Sequence, residues 1–487
     1  MRFTAIVWCV ISSVCMAGEE QILFDQWQVM TIDKARVGYA HLEIRRTSEG
    51  VIKATQQSHL RFKRFGDDVK LETILTTEEE VDGTLISFRY EEHNPPNNSK
   101  VSFGEIDRSL FRLGLTVAGH TSHRAISRPA ELKSSIYQDR MFFGKNMKPG
   151  MIEQFSVWQP ELSKAGNIKF RVDDRRYTKL FDGTNVMLFK VFVTNPLAPS
   201  LNLRGYVDER GRWLKSEADF AGKILTTYAV SAEEALEELA GGELDLALSS
   251  IVKVKGLRNP HEMQEVVYRI KTKAADPARY FPSDPSQHVE PIDDETIQLT
   301  VRKVPAPPRS VVVVPQAEEF LAATDYLQSD DRGVIELAHR AAAGIGTDPL
   351  RIAVSMESTV RERIHKKMFS SALASAAEVA QSREGDCTEH AMLLAAMLRA
   401  ARIPSRVAVG FSYEPRIGGF IGHMWTEAWI RDRWVPLDAT LESGKIGAGY
   451  IKLSDSSLGE NTPSPIIAFL PMMELLGKMQ IEVVQQR

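Results

Sequence analysis

Gly385-Asp386-Cys387-Thr388-Glu389-His390-Ala391 decides how this chain is read, because a glycine and an aspartate lead straight into a helical pattern. Behind it Ala391, Leu394, Ala395, Leu398 and Ala401 recur at helical spacing, with Met392 and Met397 beside them. That is the period of a largely buried helix, and it puts Cys387 near the helix N-terminus. Unpaired backbone N–H groups and the positive end of the helix dipole favour a thiolate there. The sequence has three cysteines, and Cys9 and Cys15 fall in a leader-like segment. Cys387 is then the single thiol of the processed chain. With no intramolecular disulfide partner, it either packs as a small apolar side chain or reacts.

A reactive thiol needs a proton acceptor and something to hold that acceptor. The stretch 422–430, which carries His423, reads as a strand, followed by a turn at Arg431-Asp432-Arg433 and a second strand, Trp434-Val435-Pro436-Leu437-Asp438. The far ends of a hairpin meet, so Asp438 is placed to orient the His423 imidazole. The arms are unequal, and a bulge or an adjacent strand is expected to bring them level. Nucleophile, base and orienter then follow in the order Cys387, His423, Asp438. Glu427 is a rival orienter, but four residues of strand put it about 13 Å from His423. His390 is a rival base, read instead as packing or as a supporting hydrogen bond. Cys387, His390 and His423 form a rival zinc set that lacks a second cysteine. Trp425 and Trp429 share the His423 face of the strand and read as core.

Four linked segments carry a family resemblance: Gly385-Asp386-Cys387-x-Glu389-His390-Ala391, then Arg399 to Val407, then His423-x-Trp425-x-Glu427, then Trp434-Val435-Pro436-Leu437-Asp438-Ala439-Thr440. In that order they resemble the core of the transglutaminase-like superfamily, over roughly the last third of the chain. The resemblance implies a papain-like α+β core, with Cys387 as nucleophile, His423 as general base and acid, and Asp438 as orienting carboxylate. It implies acyl transfer through a thioester, closer to the microbial hydrolases than to the calcium-dependent animal enzymes, and no calcium-loop spacing occurs here. There are two departures. Ala439 stands where many members have proline, and no tryptophan lies between Trp213 and Trp425, which leaves the second oxyanion donor unassigned after the Cys387 N–H. The expected function is thiol-dependent hydrolysis of amide or peptide bonds, without cofactor or metal. The alternatives are Gln–Lys crosslinking and a non-catalytic envelope binding protein.

At 487 residues, 43% hydrophobic and 25% charged, the chain has an ordinary globular composition and length for two or three domains. A formal net charge of −4 gives no reason to expect nucleic acid, so the expected partner is a protein or peptide substrate. Residues 1–17 pair one basic residue, Arg2, with an apolar run from Phe3 to Val14, and read as a secretory signal peptide. That run is too short to span a bilayer comfortably. The expected product is exported to the periplasm, cell envelope or exterior, has no membrane span, and is stabilised by buried cores in place of disulfides.

The expected organisation is multidomain, a β-rich N-terminal region followed by the α+β core. Residues 18–245 read as an antiparallel β-rich domain from the alternation in 37–44, 69–75, 85–90 and 186–192, with a hairpin turn at Asp208-Glu209-Arg210-Gly211. His120 and His123 have the spacing of metal ligands but no accompanying cluster, and read as isolated histidines. Residues 246–304 read as a small β subdomain or a continuation of the first domain, 305–315 as a proline-rich linker, and 316–487 as the catalytic domain. Asp348-Pro349 opens a helix with Ile352, Met356, Val360, Ile364 and Met368 following at helical spacing. Ser371 is a candidate cap for a helix from Ala372 to about Gln381. After Thr440 Gly-rich and Ser-rich turns are expected, and 466–479, interrupted by Pro471, reads as a packed tail.

Overall fold

The structure is a computed structural model that describes residues 20–94, 98–199, 202–220, 222–237, 244–249, 251–274, 276–310, 316–365, 373–441, 446–459 and 464–487. The segment read as a signal peptide, Ser371 and part of the proline-rich linker lie outside these residues.

From Gln21 to Val230 the described chain forms one fifteen-stranded sheet. Its first strand, Gln21–Ile32, pairs with both its successor Ala35–Arg46 and the last strand Lys223–Val230, so two meanders spread from one central strand. Neighbouring strands in the sheet pair antiparallel except at one edge, where Leu132–Lys133 runs parallel to Ile152–Gln159. The two wings curl towards each other. Trp158 of one wing packs edge-on against Phe111 of the other at 4.9 Å between ring centres and lies 5.8 Å from Phe88. Leu42, Ile44, Ile52 and Leu132 complete that shared core.

The stretch read as a small β subdomain is not self-contained. Glu265–Thr272 pairs with Thr296–Arg302 on one side and with Met479–Gln486 on the other, so the end of the described chain completes this four-stranded sheet. Val252–Lys253 joins the C-terminal five-stranded sheet by pairing with Gly419 and Phe420. Val266, Tyr268, Ile270 and Leu299 share one apolar core with Phe411, Phe420, Ile451 and Leu475. Side chains of both stretches are needed to fill that core, which ties 251–302 to the C-terminal region.

In that region the helices Arg332–Ala342, Pro349–Arg363, Ala376–Ser382 and Cys387–Ala400 gather around the last of them. It packs on a five-stranded antiparallel sheet containing Ser405–Glu414, Gly419–Ile430, Arg433–Leu437 and Tyr450–Ser456. Arg399, 1% exposed, donates 2.8 Å bonds to the carbonyls of Ala322, Ser405 and Ser457 and pins the helix end to its surroundings. Two expectations change. Ser375, not Ser371, caps the helix Ala376–Ser382, because Glu378 three residues on closes a capping box with it. The region after Thr440 contains the strand Tyr450–Ser456, which takes its hydrogen bonds from Ser405–Glu414. The apolar 466–479 stretch forms the helix Pro465–Leu475, with Pro471 inside it. Among the described residues no helix is long and apolar enough to cross a membrane.

Candidate active site

Cys387 opens the central helix because Asp386 caps it. Asp386 Oδ1 accepts the Thr388 N–H at 2.9 Å and the Thr388 hydroxyl at 2.8 Å. Glu389 Oε2 accepts the Asp386 N–H at 2.8 Å, and Glu389 Oε1 accepts the Ala374 N–H at 3.0 Å. This capping box satisfies donors that a buried helix end would otherwise strand. Gly385 is needed beside it: its φ is +150°, and a Cβ there would come within 2.3 Å of Glu389 Cβ. Burial and the neighbouring Asp386 push the Glu389 carboxyl up. Burial alone would also raise Asp386, but Arg64 and the hydrogen bonds it accepts hold it down. Cys387 itself is half-buried and not disulfide-bonded.

His423 and Asp438 come from the hairpin Gly419–Ile430 and Arg433–Leu437, whose pairing runs without a register shift to Thr426 opposite Leu437. Asp438 follows the end of the short arm and reaches diagonally along the long one. His423 Nε2 and Asp438 Oδ2 lie 2.7 Å apart, so neither a bulge nor an adjacent strand is needed to level the arms. The Cys387 thiol is the second group that acts on the His423 imidazole. Since Nε2 is held by Asp438, Nδ1 is the nitrogen left for the thiol. Burial pulls the imidazole pKa down, yet Asp438 and Cys387 together raise it well above the ordinary value.

Asp438 is fixed from four directions. Beyond His423, Tyr450 Oη donates to Oδ2 at 2.5 Å, and the Thr440 N–H and hydroxyl donate to Oδ1 at 2.8 and 2.7 Å. The Asp438 N–H donates to Glu357 Oε1 at 2.7 Å. Burial favours a neutral Asp438, but His423 and these donors hold its carboxyl well below the usual carboxylate range. Glu357, 1% exposed, is pushed up to about 7 by burial, reinforced by the Asp438 charge.

The rival residues are engaged elsewhere. His390 Nδ1 donates to the Asp386 carbonyl at 2.6 Å, one helical turn back. Glu427 pairs with Arg406 at 2.7 Å and Lys452 at 2.9 Å. Trp425 lies near-parallel to His423, 6.4 Å between ring centres, and belongs to a small buried cluster with Ala408 and Tyr450. His120 and His123 sit on an exposed strand that borders a groove of about 760 Å³, shared with Glu319, Asp325 and Asp331 and not lined by Cys387.

Three site residues escaped the sequence reading. Glu357 left one usable trace, a carboxylate adjoining Met356 on the inward stripe of its helix. Tyr450 was masked by the turn-rich composition before it. Arg64 reaches the site from the N-terminal sheet, its Nη2 2.8 Å from Asp386 Oδ2, and nothing local marks it.

Residues 337–439 match the sequence family described as the transglutaminase-like superfamily, a stretch that holds Cys387, His423, Asp438 and Glu357 and excludes Arg64 and Tyr450. No curated protein matches the chain. Solved structures similar to it include a "putative cysteine protease" from Cytophaga hutchinsonii, at 16% identity and TM-score 0.30, covering 46% of this chain and 86% of that one. A beta-barrel-like protein of a domain of unknown function from Brucella abortus matches at 10% identity and TM-score 0.34, over 42% of this chain and 95% of that one. A "putative protease" from Parabacteroides distasonis matches at 13% identity and TM-score 0.20, over 76% and 69%.

Proposed function

We propose that this chain, transglutaminase-like in its C-terminal part, is a cysteine hydrolase of amide or peptide bonds that works through a thioester acyl-enzyme. The observation that carries the reading is the His423 imidazole, bonded to the buried Asp438 and raised in pKa by Asp438 and Cys387. The Cys387 sulfur attacks the substrate carbonyl carbon, its proton having passed to His423. The oxyanion meets the Cys387 N–H at the helix start, beside the Thr388 N–H that the cap binds. His423 then protonates the departing amine as the C–N bond breaks, and the acyl group remains on sulfur. Water, deprotonated by His423, adds to the thioester and releases a carboxylic acid and the thiol. Asp438 keeps the imidazole in the tautomer and orientation both steps require.

If a lysine amine replaced water in the second step, the product would be a crosslink. Mass spectrometry of a glutamine-containing peptide incubated with and without a lysine-donor peptide separates the outcomes. Cleaved or deamidated peptide, absent in Cys387→Ala, is expected. A crosslinked product would overturn the preference for hydrolysis, and wild-type protein as inert as Cys387→Ala would leave a binding protein. We further propose export, on the strength of the apolar run Phe3 to Val14 behind Arg2. The intact N-terminal mass of protein recovered outside the cytoplasm tests it.

A further inference from the structure

We infer that Arg64, carried by the β-rich N-terminal sheet, is a positioning residue of the Cys387 site, where its guanidinium supplies the counter-charge that keeps the Asp386 cap ionised and in place beside the nucleophile. The inference rests on the catalytic reading of Cys387 but concerns a residue outside the family match.

Arg64 ends the strand Ile52–Arg64 at a hairpin tip that is built to hold its shape. Phe65 and Gly66 turn with positive φ, and their N–H groups both donate to the Asp245 carboxylate, at 3.2 and 2.7 Å. The Lys63 N–H donates to the Leu244 carbonyl at 2.9 Å. From this clamped tip Arg64 Nη2 comes within 2.8 Å of Asp386 Oδ2, the oxygen that Thr388 does not use. Exposure is asymmetric across the pair, 30% for the Arg64 side chain and 1% for that of Asp386. A carboxylate so deeply buried stays ionised only with a partner charge.

The charged and titratable groups around the nucleophile come from three elements. The sheet supplies Arg64, the cap and helix supply Asp386, Glu389 and His390, and the hairpin supplies His423 with Asp438 behind it. Among the described residues Arg64 and His423 are cationic groups that act on the thiol, from different elements. Arg64 is held at a raised pKa chiefly by Asp386, with Cys387 and Glu389 adding to it. Without Arg64 the sulfur loses a cation that faces it, and the cap, no longer held fully ionised, becomes a weaker acceptor for the helix N–H groups beside the sulfur.

The test is the pH dependence of Cys387 alkylation in the full chain, read beside thermal stability. Arg64→Gln should move the alkylation midpoint to higher pH by roughly half a unit or more. Asp386→Asn keeps an oxygen for the cap and should move it the other way. The double variant should return near the wild-type midpoint. A residue that only docks the sheet on the catalytic region would lower the melting temperature in each single variant and leave every midpoint in place, and that result overturns the inference. If Arg64→Gln does not fold, Asp386→Asn alone still decides, since an unmoved midpoint removes the charge coupling. His423→Ala run in parallel tests the catalytic reading separately. Loss of low-pH alkylation there, with Arg64→Gln unchanged from wild type, would sink only the role of Arg64.

Discussion

The strand Ala35–Arg46 buries Ala40, Leu42 and Ile44 in turn while Tyr39, His41, Glu43 and Arg45 between them stay partly exposed. The helix Cys387–Ala400 buries every residue from Thr388 to Arg399. In the sheet, polar side chains can turn to water, so each strand is an interchangeable unit defined by period. In the helix they cannot, so Thr388, Glu389, His390 and Arg399 must each find a partner inside the protein. The two halves therefore differ in where information is held. Single residues matter most where burial is deep, and His423 and Asp438 lie there beside the half-buried Cys387.

Three experiments break or sharpen that contrast. Asp438→Asn removes one charge from the fully buried half, and should lower turnover about 10³- to 10⁴-fold with the folded spectrum retained, as expected when an imidazole loses its orienting carboxylate. A loss below tenfold in steady-state kinetics would show that His423 is held well enough by its other neighbours. In the sheet, Phe111→Ala empties the contact with Trp158 and Phe88 and should cost about 3–5 kcal/mol in chemical denaturation while leaving Cys387 alkylation unchanged. A shifted alkylation profile would mean that the halves are not separable in this way.

The third effect is smaller and depends on pH. An unfolded Glu357 releases its proton near the ordinary 4.5, whereas the folded one keeps it up to about 7. The unfolded state therefore binds fewer protons between those values. The stability this group contributes is complete below about 4.5 and lost as pH rises through about 7. Denaturation at pH 5 and pH 8 should show a fall of roughly 1–3 kcal/mol in wild type that is reduced in Glu357→Gln, which can still accept the Asp438 N–H. Equal slopes in the two proteins would place the titration elsewhere.

What the sequence made legible follows the same division. The helix behind Cys387 and the hairpin bearing His423 were readable because each is encoded within a few residues. The diagonal reach of Asp438 was not, because a strand pattern gives the face of a side chain and not how far it extends beyond the pairing. Tyr450 lies on a strand whose hydrogen bonds come from Ser405–Glu414, a pairing absent from its local composition. Glu357 was passed over as one polar residue on an apolar stripe, although a carboxylate at an inward position signals a buried partner. Arg64 is beyond any local rule, since only the folding of the whole sheet brings its hairpin to the cysteine.

The four-stranded sheet in which Glu265–Thr272 waits for Met479–Gln486 also sets a schedule. At roughly 5–20 residues per second of synthesis, its partner strand follows some 10–40 s later. For that interval the growing polypeptide carries an open strand edge rich in Val266, Tyr268 and Ile270, the kind of surface that recruits stray strands. Closing so long a loop is slow as well as late. A holding chaperone, or transport in an unfolded state, would shield the edge until its true neighbour emerges.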